Sequence, residues 1–169
     1  MNTTGQPINF NFDSFLLWGL IATVLLTTIT SLSQWRGCSR MGLPFILGTV
    51  FTANRDRAQI IGFVCHLLLG WLFALPYALI FQSWQWSSWW MGMIMGMIHG
   101  LFVLAVALPL LTHIHPRMAS EYHGPTPTRM LEPPGYMALN YGHRTPSVLL
   151  LGHLAYGGVL GAFYQISGG

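Results

Sequence analysis

The sequence predicts an all-α membrane protein of four transmembrane helices, and three observations carry that prediction. Four apolar runs, at about 12–32, 58–82, 89–112 and 147–166, each reach the roughly 20 residues a helix needs to cross a bilayer. Of 169 residues, 53% are hydrophobic and only 7% charged, against about a quarter charged in soluble domains. All seven basic residues are arginines confined to 35–57 and 113–146. Four crossings therefore bring both stretches out on one face, the positive-inside pattern. The expectation is one integral domain over 1–169 in the inner membrane of a bacterium, with the Arg-rich loops cytoplasmic and both termini periplasmic.

The first run follows a stretch, 1–13, without a basic residue. It reads as a retained anchor rather than a cleaved signal. Gly19, Thr23, Thr27 and Ser31 form a small, weakly polar stripe along it. The loop that follows carries Arg36, Arg40, Arg55 and Arg57, expected near lipid phosphates or a partner. Pro76 and Pro109 lie towards the ends of the second and third runs, where a membrane helix tolerates a kink.

Only the short turn 83–88 separates those two runs, which predicts that they are antiparallel neighbours. Trp84, Trp86, Trp89 and Trp90 crowd it. Indole rings belong at the headgroup level, so these read as an interfacial belt, with a carbohydrate- or partner-binding patch as the alternative. The third run carries a Gly92, Gly96, Gly100 ridge, and Met91, Met93, Met95 and Met97 alternate along it as pliable packing. The fourth adds Gly157 and Gly161. Close backbone approach over small residues is how helices associate in lipid. Before it lies a proline-rich loop, expected to be an ordered cytoplasmic cap in which Tyr122, Tyr136, Met137, Leu139 and Tyr141 pack.

The two halves look alike. His66-Leu67-x-x-Gly70 with Tyr77 matches His153-Leu154-x-x-Gly157 with Tyr164, and Arg40-Met41-x-x-Pro44 matches Arg129-Met130-x-x-Pro133. This predicts two tandem, like-oriented hairpins related by a pseudo-two-fold along the membrane normal, as in parallel-repeat membrane proteins. Pairing Arg117-Met118 with Arg40-Met41 is a competing alignment of the loops.

Intramembrane ionisable residues are costly and so invite a functional reading. Here these are three histidines. At ~1.5 Å per residue, His66 and His153 lie roughly 12 and 10 Å from the inner helix ends and His99 about 20 Å. His66 and His153 would then face each other. They are candidates for axial haem ligation, for a metal site with His99, or for a proton path ending at His113 and His115. The plainer reading is that each imidazole hydrogen-bonds across the bundle, to Tyr77, Tyr156 or Tyr164, and a bundle closed by glycine contacts leaves little space for a cofactor. No metal is required. His113, His115, His123 and His143 form only a loose cluster, without the spacing of a metal motif.

The net charge of +3 does not point to nucleic acid, because the arginines flank spans rather than lining an aromatic-interleaved patch. Cys38 and Cys65 form no CxxC, which removes redox and zinc-ribbon readings, and no nucleophile and base pair at a useful spacing. The segments Met41-Gly42-Leu43-Pro44 and Gly152-His153-Leu154-x-Tyr156-Gly157 resemble small uncharacterised four-span bacterial inner-membrane proteins. That resemblance implies the architecture and brings no function with it. Three readings follow: a non-catalytic accessory subunit of a larger membrane complex, packing lipid, quinone or pigment; a small transporter or channel; and a haem- or metal-binding membrane protein. The first is the expectation.

Overall fold

The computed structural model describes residues 10–119 and 124–166. Helix α1 (Phe12–Trp35) leads through a short α2 (Leu43–Thr49) into α3 (Arg55–Trp84). Helix α4 (Trp89–Phe102) passes through a π-turn, Val103–Ala107, into α5 (Leu108–Ile114), and α6 (Thr145–Phe163) follows a long irregular stretch. Among the described residues, four helical stretches are long and apolar enough to cross a membrane: α1, α3, the continuous Trp89–Ile114 and α6. The protein is therefore a multi-pass membrane protein by length and composition.

Local chemistry sets the ends. Asn11 and Asn54 accept the Ser14 and Arg57 amides on their side chains, each at 3.0 Å, and so start α1 and α3. Gln85 ends α3 in the left-handed region at φ 54°. Pro109 has no amide proton, and its ring crowds the carbonyl four residues back. The chain widens just before it, so that the Leu108 amide reaches the Val103 carbonyl, five residues back. Helix α6 stops short of the expected Ile166, because the Gln165 amide leaves the helix to donate to Ser14 Oγ at 2.8 Å.

The glycine stripes decide which helices touch. Gly92, Gly96 and Gly100 of α4 meet Gly161, Gly157 and His153 of α6, while Gly19 and Thr23 of α1 meet Ala74 and Gly70 of α3. Helix α1 also packs on α6. The second and third spans are antiparallel, as their short connection requires, but they are not close-packed neighbours. Their contacts run through side chains, Phe73 and Tyr77 against His99 and Phe102. The close contacts of Gly92 and Gly96 are made with α6 and those of Gly70 with α1, so α4 is drawn to α6 and α3 to α1.

Helix α2 is an element that the hydropathy pattern does not mark. It lies against the first turns of α3 so closely that a Cβ on Gly62 would overlap the Pro44 carbonyl. The core has two parts. Phe15, Leu26, Tyr77, Phe81 and Tyr156 fill the end nearer the tryptophans. Met41, Ile46, Leu104, Met118 and Leu149 fill the arginine end.

Candidate functional site

The three intramembrane histidines come together. Those of α3 and α6, His66 and His153, are buried, and His99 of α4 is half-buried. The rings of His99 and His153 meet edge-on at 4.7 Å between centroids. Phe73 lies 4.5 Å from His99, and the Tyr77 hydroxyl is 3.3 Å from His99 Nδ1. All three histidines line a cleft of about 210 Å³ between α3 and the α4–α5 helix. The unclosed seam between these helices makes that space, contrary to the expectation that glycine contacts would leave little.

The hydrogen bonds set the ring tautomers. Thr27 Oγ1 gives its one proton to the Thr23 carbonyl at 2.7 Å. At 3.0 Å from His66 Nδ1 it can therefore only accept, so Nδ1 carries the His66 proton. His153 Nδ1 lies 2.8 Å from the Leu149 carbonyl, which only accepts, so it too is protonated on Nδ1. In a neutral ring this leaves Nε2 of both as a lone pair. The tyrosine partners expected from the sequence serve His99 alone. Tyr156 instead donates to the Gly70 carbonyl at 2.6 Å, and Tyr164 lies 3.5 Å from Gln82.

On the arginine side of His66 and His153 a second, narrow void of about 10 Å³ is lined by Thr30, Ser33, Ser39 and Thr145. The two imidazoles thus line both the cleft and this small void. Ser39 and Thr145 are themselves joined at 2.9 Å.

At the arginine face the two loops interlock. His115 Nε2 donates to the Ile46 carbonyl at 3.0 Å, and Arg117 Nη1 donates to the carbonyls of Thr49 and Val50 at 2.6 and 3.1 Å. These satisfy the open end of α2, where a cation suits the helix dipole. His115 Nδ1 accepts the Arg117 amide at 3.1 Å, so the neutral ring is fully paired. Burial lowers the His115 pKa below its ordinary value, helped by the Arg117 charge and opposed by the bond to Ile46. This pair is a cap on α2, and the spacing His-x-His gave no sign of it. Among the described residues no group of three or more His, Cys, Asp or Glu is placed to hold a metal ion. His123 and Tyr122 lie outside the described residues.

Arg40 pairs with Glu132 at 3.3 Å, and its amide donates to the Tyr141 carbonyl at 2.8 Å. Tyr141 is buried and donates to the Glu132 carbonyl. Burial and the Glu132 charge push its pKa up to about 12, against the opposing Arg40 charge. Tyr136 and Leu139, expected to pack, are exposed. Arg36, Arg55 and Arg57 are exposed, with Arg55 over the Phe45 ring at 5.6 Å. Trp84, Trp86, Trp89 and Trp90 are all exposed at the opposite end, as an interfacial belt requires. Comparison with protein-family models, curated proteins and solved structures finds no match for this chain.

Proposed function

We propose that this chain is a non-catalytic accessory subunit of a larger membrane assembly, built from two tandem, like-oriented helical hairpins. The observation that carries the reading is the outer seam of α4 and α6. A groove of about 400 Å³ runs there between Trp89, Met93, Ile94, Met97, Ile98 and Leu154. Ile94 and Ile98 are 55% and 63% exposed. Methionine re-packs around whatever lies on it, and a groove of this chemistry fits a transmembrane helix of a partner laid along α4. The loops support the same reading, since Arg40 and Arg117 are spent on holding the chain to itself.

The contact register supports the hairpins. Adding 73 to α1 positions and 87 to α3 positions carries Gly19–Ala74, Thr23–Gly70 and Thr27–His66 onto Gly92–Gly161, Gly96–Gly157 and Gly100–His153, and all six are contacts. A duplicated hairpin gives this result at every pair. In this reading the arginine face is cytoplasmic and the tryptophan turn and both termini face the periplasm, with lipid around the remaining faces.

Extraction in a mild detergent tests the subunit role. The expected species is larger than a homodimer and carries a partner protein that Met97→Trp releases. An isolated monomer or homodimer with nothing attached contradicts it.

A further inference from the structure

We infer that the cleft between α3 and the α4–α5 helix is a binding site for a hydroquinone-type lipid, a dihydroxy-aromatic ring carrying an apolar tail. His66 and His153 both line the cleft, and both spend their Nδ1 protons on Thr27 and the Leu149 carbonyl. Neither Nε2 has a hydrogen-bond partner among the described residues. Two unpaired lone pairs on the wall of a largely apolar cleft suit a ligand that donates.

Size and shape narrow the choice. A cavity of about 150 Å³ is enough to hold benzene, and this one is about 210 Å³. It falls short of the roughly 300–1,000 Å³ of sites for larger cofactors, so a macrocycle such as haem does not fit. A divalent cation fits poorly too, since two neutral nitrogens would leave its charge uncompensated among leucines. The Phe73 ring and the edges of His99 and Tyr156 supply aromatic surface for a six-membered ring. Leu69, Leu111 and Val103 are half-buried, which lets a tail leave sideways into lipid. The π-turn contributes Val103 and Ala107 to the same wall, and such widened turns recur at functional sites. An oxidised quinone would turn its own lone pairs on those of His66 and His153, so these two positions favour the reduced form. The inference stands whether or not a partner covers the α4 groove.

The test uses the full chain in phosphatidylcholine nanodiscs under anaerobic conditions, titrated separately with decyl-hydroquinone, decyl-benzoquinone and decylbenzene. The expected result is saturable binding of the hydroquinone at least about tenfold tighter than either other probe, the loss expected for one unmet buried acceptor. The ¹⁵N resonances of the imidazole Nε2 atoms of His66 and His153 should move on binding in the unmodified protein. His66→Phe and His153→Phe should abolish the preference for the reduced ring. Equal binding of all three probes identifies an acyl-chain cleft and overturns the inference. So does saturable zinc binding at the same Nε2 atoms without hydroquinone binding, and so does an absence of any Nε2 shift.

Discussion

Gly92 of α4 and Gly157 of α6 face each other reciprocally, so that a Cβ built on either would overlap the carbonyl oxygen of the other. Contact between backbones replaces the hydrophobic drive that lipid does not provide. One added methyl on either must push the helices apart. Gly92→Ala and Gly157→Ala should each destabilise the protein by about 1–3 kcal/mol, the usual range for overpacking. Gly158→Ala should cost less than about 0.5 kcal/mol, because its Cβ would meet only the flexible Met93 side chain at 3.3 Å. Thermal unfolding of the three variants in one detergent makes the comparison.

Thr27→Val keeps the shape of the side chain and removes the acceptor of the His66 Nδ1 proton. Leaving that buried donor unpaired should cost about 1–3 kcal/mol, while Thr27→Ser should restore most of it. The ¹⁵N spectrum of labelled imidazole should show the Nδ1–H form of His66 in the parent and in Thr27→Ser. A His66 already protonated on Nε2 in the parent would contradict the assigned tautomer.

The latch on α2 should respond to pH. Burial holds the pKa of His115 in the folded chain below that of the unfolded chain, so the unfolded chain takes up the proton first. Its contribution to stability is complete above the unfolded value, about 6.5, and is lost as the pH falls through the folded one. Protonation also puts a hydrogen on Nδ1, which then cannot accept the Arg117 amide. Protection of the Arg117 amide against hydrogen exchange, taken relative to its intrinsic rate at each pH, should fall as the pH drops through the folded value of His115, and His115→Gln should flatten that dependence.

The Arg40–Glu132 pair should matter little. Both side chains are well exposed, 67% and 46%, and such pairs contribute about 0.2–1 kcal/mol, less with added salt. Arg40→Ala is expected to shift the unfolding midpoint only slightly, and Tyr141→Phe, which removes a buried hydroxyl donor, by more. Urea titration at low and high salt separates the two.

The spans were legible in the sequence because lipid leaves the backbone no partner but itself, so long uncharged runs have to be helices. The glycine and threonine stripes were legible for the same reason that they work, since i+4 spacing puts them on one face. What hydropathy does not record is which helix lies beside which. The seam between α3 and α4 follows from small residues being engaged on α1 and α6 instead, and the cleft follows from that seam. Helix α2 is only seven residues long and begins with Leu43-Pro44, too short to show a period. The tautomers of His66 and His153 depend on one threonine proton and one carbonyl from neighbouring turns or helices, which no spacing in the chain announces.

In the proposed arrangement the two hairpins thread the membrane in the same direction. In a chain carrying Cys38→Ser and Cys65→Ser, single cysteines at Arg57, Arg129 and Trp86 can be reached by a membrane-impermeant thiol reagent from one side of sealed vesicles at a time. The prediction is that positions 57 and 129 label from one side and position 86 from the other. Labelling of 57 and 129 from opposite sides would contradict it.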